Sequence, residues 1–344
     1  MRLPAPVGLS GLSTWIPSER QSAQEAVALG LIEEDTAQEL GYTGLPIAQL
    51  SPPEMAVLAA RRALSRADSD NSTGTGLVLH AWMHYQGHDL WSPAHYIADQ
   101  LGMGDAVPVG IQQVCNGGAT AIEMAVARLA TEPAVGRALV TTADRFAEPG
   151  FDRWRSDYGI AYGDGATALL IHPPGDDAPA DLTLYAVTTV AAPQLERMHR
   201  GRDPFSTAPR SISSRVDMRR TKKAFLETEG MAAFTKPRGE CLRQVLQTCL
   251  ADARLDGDNP RLRYVVLPRL GRKMIELAYL PVITELTRAV TLPTGQATGH
   301  LGAGDAPAGL AELHHDKLLE PGEYALVISA GAGFTWSCLL VGKS

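Results

Sequence analysis

Cys115 ends an apolar stretch, Val107-Pro108-Val109-Gly110-Ile111-Gln112-Gln113-Val114, and is followed by Asn116-Gly117-Gly118 and a helical pattern from Ala119 to Val126. A thiol at a strand-to-helix turn feels the positive end of the helix dipole, which favours the thiolate and makes it a nucleophile. The two glycines predict a sharp turn with room for a substrate to approach. The same setting also suits a buried structural cysteine, because free cysteine packs as a small apolar residue. His80, His84 and His88 are spaced four apart, which on a helix would line one stripe. His80 ends a strand pattern, however, Gln86-Gly87 interrupts any helix, and no Asp, Glu or Cys ligand set accompanies them. They are expected in a loop near the cysteine or a dimer contact, with no metal. Between Arg197 and Lys223 lie nine Lys and Arg against two acidic residues, Asp203 and Asp217, in a chain of net charge −7. Such a segment reads either as a solvated loop or as a surface for anions.

Positioning these residues requires a framework, and the chain alternates strand and helix patterns. Strands are expected at 76–80, 107–114, 138–142 and 166–171, then at 182–187, 263–267, 324–329 and 337–341. Helices are expected over 51–66, 118–130, 239–253 and 274–290, the first opened by Ser51, two prolines and Glu54 in capping-box spacing. The alternation predicts an α/β fold with sheets covered on both faces. The Gly/Asp/Pro run over 173–179 reads as a link between two similar halves, 1–173 and 174–344. At 344 residues with 45% hydrophobic and 20% charged residues, the composition is that of an ordinary soluble globular protein. The net charge disfavours a general nucleic-acid binder. No window approaches the ~20 apolar residues of a membrane span. Four cysteines without CxxC spacing, and no signal-peptide pattern at the start, fit a cytoplasmic protein with reduced thiols.

Four segments together carry a resemblance: Gly11-Leu12-Ser13-Thr14-Trp15-Ile16-Pro17, the cysteine turn 114–118, Tyr162-Gly163-Asp164-Gly165-Ala166-Thr167-Ala168, and Gly331-Ala332-Gly333-Phe334-Thr335-Trp336. In this order they resemble the ketosynthase III branch of the thiolase superfamily across nearly the whole chain. The resemblance implies a duplicated five-layer αβαβα thiolase-like fold, a homodimer, and an acyl thioester on Cys115, with the backbone amides of Cys115 and Ala332 as oxyanion donors.

Departures from that family bear on the reaction. Where the family carries His-Gln-Ala-Asn after a strand ending in Pro, this chain reads Pro268-Arg269-Leu270-Gly271, so Arg269 replaces the histidine. Where the family carries Asn in Gly-Asn-Thr-Ser, this chain reads Gly299-His300-Leu301-Gly302, with Asp305 five residues beyond the histidine. The lost His/Asn pair would stabilise the enolate in decarboxylative condensation. What remains is Cys115 as nucleophile, His300 as base and Asp305 to orient it, a set similar to that of ketosynthase-III-like acyltransferases of actinomycete antibiotic pathways. A loop histidine and a helix N-cap aspartate are the plain alternatives for the last two. The function expected is acyl transfer, with malonyl as a candidate group, from acyl-coenzyme A or an acyl carrier protein to a hydroxyl such as the sugar of a polyketide antibiotic. Starter-unit transfer to a carrier protein, a condensing ketosynthase and a non-catalytic synthase partner are the alternatives. No permanently bound cofactor is expected, coenzyme A esters being cosubstrates. Arg269 is a candidate for holding an acyl carboxylate, or else an outward arginine at a strand end. Arg200, Arg202, Arg215, Arg219 and Arg220 are candidates for coenzyme A phosphates or the acidic face of a carrier protein.

Overall fold

The computed structural model describes residues 2–67, 74–174 and 180–343. Of the expected link at 173–179, the stretch 175–179 lies outside the described residues. The strands are β1 (Arg2–Trp15), β2 (Arg20–Ser22), β3 (Gly44–Pro46), β4 (Thr75–Ala81), β5 (Val107–Ile111), β6 (Arg137–Asp144), β7 (Gly165–His172), β8 (Leu182–Ala191), β9 (Leu262–Val266), β10 (Val290–Leu292), β11 (Tyr324–Gly331) and β12 (Thr335–Gly342). β2 and β3 pair with each other, and the other ten form one sheet in the order β10-β9-β11-β12-β8-β1-β7-β6-β4-β5.

That order contains one plan twice. Outward from the middle, β1-β7-β6-β4-β5 places the first, fifth, fourth, second and third strands of its set, and β8-β12-β11-β9-β10 does the same. The sense of pairing repeats as well: β4 runs parallel to β5 and β6, as β9 does to β10 and β11, and the remaining pairs within each set are antiparallel. β1 and β8 join the two sets antiparallel, with Leu9 opposite Leu182.

Side chains alternate across each strand, so a strand covered on both faces reads as a continuous apolar run. Val78, Leu139 and Leu170 pack under the helix Pro52–Arg66, while their neighbours Leu79, Val140 and Leu169 face a central core. In the second set Val265, Leu326 and Leu340 pack under the helix Ala232–Ala253, and Val266, Val327 and Leu339 face the same central core. Between the two sheet halves lie the helices Gly117–Thr131 and Asp305–His315. The layers are therefore α, β, α, β, α, the mixed α/β thiolase-like architecture.

Besides small shifts at other ends, β8 runs past its expected end to Ala191, and three further boundaries differ from the sequence expectation. β5 stops at Ile111 rather than Val114, because Val114–Asn116 form a 3₁₀ turn. The helix expected over 274–290 is two, Arg272–Ala278 and Leu280–Leu286, and Val290 begins β10. Pro281 accounts for the break, since it has no N–H for a continuous helix and is suited to the first turn of a new one. The helix expected from Gly239 starts earlier, at Ala232, and runs through Pro237.

Candidate active site

β5 delivers the chain to the Val114–Asn116 turn, where Val114 sits at φ +51°. A β-branched residue rarely takes this left-handed conformation. Cys115 beyond it is half-buried, its Sγ 3.8 Å from the Met83 sulfur. Asn116 Nδ2 donates to Ser337 Oγ at 2.9 Å and Gln113 Nε2 to Thr335 Oγ1 at 3.1 Å, tying the turn to β12. The glycines do not serve as expected. Gly117 has helical dihedrals, and a Cβ on Gly118 would lie 2.4 Å from the Ala303 carbonyl oxygen. They let the start of the helix Gly117–Thr131 press against the 302–307 turn of the other half, rather than clearing space for a substrate.

The histidine lies just before that facing turn. The His300 amide donates to the Ala161 carbonyl at 2.9 Å, and the His300 carbonyl accepts from Gly163 at 3.0 Å. The imidazole is buried, edge-on to Tyr162, with Nδ1 2.7 Å from Asp305 Oδ2. Asp305 accepts the Leu301 amide at Oδ1 and the Arg269 amide at Oδ2, both at 2.9 Å, so its carboxylate is fixed before it meets the ring. Nδ1 is thereby committed, and Nε2 is buried without a hydrogen-bond partner. Burial opposes charge on His300, but Asp305 and then Cys115 outweigh it and hold the imidazole pKa well above its ordinary value. Burial likewise opposes charge on Asp305, and His300 outweighs it, keeping the carboxyl below its usual range. Cys115, His300 and Ala332 open onto one narrow cavity of about 100 Å³, walled by Met83, Ile160, Met274 and Phe334. Ala332 lies between β11 and β12, and the neighbouring turns are close: a Cβ on Gly331 would lie 2.5 Å from the Asn116 amide nitrogen.

Arg269 is elsewhere. Its guanidinium is buried away from this cavity, donating to Glu312 at 2.8 Å and Thr298 at 3.2 Å. The expected contact with an acyl carboxylate is therefore corrected: Arg269 clamps the back of Asp305, and Leu270 takes the place in the cavity wall. The arginines of the basic segment divide. Arg219 bonds the carbonyls of Trp154 and Asp157 and lies over Tyr158, a packing role. Arg200 pairs with Glu196, Arg202 with Thr228, and Arg220 with Asp203 through two bonds, all on the surface. Arg215 approaches Asp152 at 3.7 Å, and with Arg155, Arg219, Arg220 and Lys223 it borders an open hollow. The three spaced histidines do not converge: His80 bonds Thr141 and Gln86, His84 packs on Phe151, and His88 on Trp91.

Two further arrangements escaped sequence reasoning. Asp144, at the end of β6, accepts the amides of Met83, His84 and Ala303, fixing the loop beside the thiol and the loop behind it. Its only local signal is an acid at the end of an apolar strand. Asp157 accepts from Tyr162 and Lys222 at the cavity wall, a junction made across 65 residues that no local pattern announces.

Residues 109–187 match the family described as 3-oxoacyl-[acyl-carrier-protein] synthase III, and 258–343 match its C-terminal part. A β-ketoacyl-[acyl-carrier-protein] synthase III of Pectobacterium atrosepticum is 24% identical over 340 residues, covering 96% of this chain and 98% of the relative. The structure of ChlB3, described as an acyltransferase, aligns with TM-score 0.89 and 30% identity over 98% of both chains. The 3-oxoacyl-(acyl carrier protein) synthase III FabH of Pseudomonas aeruginosa aligns with TM-score 0.74 at 17% identity, over 98% of this chain and 97% of that one. With this fold and these relatives, the chain belongs to the ketosynthase III family. Among the described residues no helix is long and apolar enough to cross a membrane.

Proposed function

We propose that this protein is an acyltransferase that carries an acyl group on Cys115, taken from coenzyme A or an acyl carrier protein, and passes it to a hydroxyl. The observation that carries the reading is the 2.7 Å His300–Asp305 contact, which fixes the imidazole with Nε2 free beside the cysteine. In the first half-reaction His300 Nε2 holds the Cys115 proton, as its raised pKa favours, and the thiolate sulfur attacks the donor thioester carbonyl. The amides of Cys115 and Ala332 receive the tetrahedral oxyanion, and collapse releases the donor as a thiolate, which takes the proton from His300. In the second half the same nitrogen takes the acceptor hydroxyl proton as its oxygen attacks the Cys115 thioester, and the thiol is regenerated. A thioester retains enough transfer potential to acylate an alcohol. The acceptor class we favour is a sugar hydroxyl of a polyketide antibiotic, and the assembly a homodimer in the cytoplasm. The hollow bordered by Arg155, Arg215, Arg219, Arg220 and Lys223 suits donor phosphates or an acidic carrier.

The similarity to ChlB3 supports acyl transfer, whereas the similarity to synthases makes condensation the second reading. Intact-protein mass spectrometry with malonyl-coenzyme A separates them. The expected result is a malonyl adduct that keeps its carboxylate, is absent in Cys115→Ala and is discharged by an alcohol. An acetyl-sized adduct with carbon dioxide release points to condensation, and discharge only by a carrier-protein thiol points to starter transfer.

A further inference from the structure

Arg238 reaches from the helix Ala232–Ala253 into the Cys115 cavity. Its guanidinium lies over the Phe234 ring, 5.1 Å from the centroid, and its Nε is buried without a hydrogen-bond partner. Among the described residues it has no ion pair. The other Lys or Arg side chain that lines the cavity, Lys222, is already neutralised by Asp157. A second buried polar atom without a partner, Nδ1 of His199, borders the same cavity. His199 stacks on Phe334 at 5.0 Å and Phe334 meets Phe234 at 5.5 Å, so both unpartnered groups are mounted on one aromatic cluster. Burial pulls the His199 pKa down to about 4, which leaves it a neutral hydrogen-bonding group near pH 7. Partly desolvated cationic and polar groups are costly unless something pairs with them, and here the unfilled space beside them is the cavity itself.

We infer that Arg238, assisted by His199, receives a carboxylate of the acyl group, so that the substrates are half-thioesters of dicarboxylic acids. This specificity role rests on the acyl-transfer reading above and deepens it. The guanidinium would hold the distal carboxylate while the thioester carbonyl meets Cys115.

The test compares donors that differ only in that group: malonyl- with propionyl-coenzyme A, and succinyl- with butyryl-coenzyme A. In Arg238→Met the acidic-to-neutral ratio of Cys115 acylation rates should fall by about ten- to a hundredfold, the range of a charged hydrogen bond. An equal loss for both members of a pair overturns the proposal and assigns Arg238 to the donor phosphates they share. A second arm is independent of acyl transfer. Cys115 alkylation by iodoacetate and by iodoacetamide is followed by peptide mass spectrometry, the other three thiols being buried. The iodoacetate-to-iodoacetamide rate ratio should drop in Arg238→Met and persist in Arg238→Lys, which keeps the charge. An unchanged ratio in Arg238→Met overturns the anion site. If no coenzyme A ester or carrier-protein thioester acylates Cys115, the transfer reading fails while the alkylation ratio still decides whether the cavity favours an anion.

Discussion

The cysteine turn follows β5 and the histidine turn follows β10, each the third strand of its half, and each leads into a central helix. Equivalent places in a repeated topology have been given opposite treatment. The cysteine turn is half-open and holds a valine at φ +51°. The histidine turn is buried, with the ring and carboxylate fixed by four hydrogen bonds: Asp305 accepts from His300 Nδ1, the Leu301 amide and the Arg269 amide, and the His300 amide donates to the Ala161 carbonyl. A nucleophile must be reached by donor and acceptor in turn, so it needs space. A base must present one nitrogen in one direction, so it needs constraint. The repeated topology supplies the common strand–turn–helix frame, and the side chains around it leave one turn accessible and the other rigid.

Removing the constraint should have the largest effect. Asp305→Asn keeps the shape but loses the charge that holds Nδ1 protonated. Acylation of Cys115 should slow by about 10²- to 10⁴-fold. The sign of the accompanying pH shift follows from the opposing causes: burial lowers the His300 pKa, and Asp305 is the largest influence raising it. Without that charge the His300 pKa should fall, which NMR titration of the ring will show. An unchanged His300 pKa in the variant would mean that Asp305 is only a helix-start residue.

The second effect is at the junction of the two turns. Gly118→Val places a branched side chain where a Cβ alone is 2.4 Å from the Ala303 carbonyl oxygen. The expected cost is about 1–3 kcal/mol of stability from overpacking, read as a lower midpoint in denaturant unfolding. Acylation should slow more than that drop in stability explains, because the cysteine and histidine turns are displaced relative to each other. If activity is kept while stability falls, the two turns tolerate separation and the alignment argument is wrong.

What can be read from the chain divides along the same line. The cysteine turn is visible locally, because strand, thiol, glycines and helix follow one another within about a dozen residues. The α/β architecture is visible because doubly covered strands produce uninterrupted apolar runs such as Ala138-Leu139-Val140. His300 and Asp305 become candidates only through family motifs, since the spacing His-x₄-Asp says nothing of a shared proton. Arg269 stands out for its charge and its motif position, yet the packing turns its guanidinium toward Glu312, on a helix 43 residues later. Asp144 bonds Ala303 across 159 residues, a pairing with no trace in either neighbourhood. The break before Pro281 leaves a local mark, a proline suited to the first turn of a helix, yet the helix Ala232–Ala253 runs through Pro237, so packing as well as proline decides where a helix ends.

Arg269 allows a finer separation between holding the carboxylate and holding the substrate. Arg269→Met removes the guanidinium but keeps the backbone amide that donates to Asp305. Glu312, 38% exposed, can turn to water, so the variant should fold. Acylation should fall about tenfold or less, and the malonyl-to-propionyl preference should not move, in contrast to Arg238→Met. Disappearance of the malonyl preference in Arg269→Met would return the carboxylate role to this residue.

The smallest effect belongs to the strained side of the comparison. Val114→Asn puts a residue that accepts left-handed dihedrals at φ +51°. Relief of that strain should raise stability by about 1 kcal/mol, offset in part because an apolar side chain leaves the cavity wall. If the valine conformation helps to aim the thiol, acylation should slow a few-fold even as the melting midpoint rises. A higher midpoint with full activity would show that the strain is a by-product of the sharp turn and that access alone, not conformation, distinguishes the cysteine copy from the histidine copy.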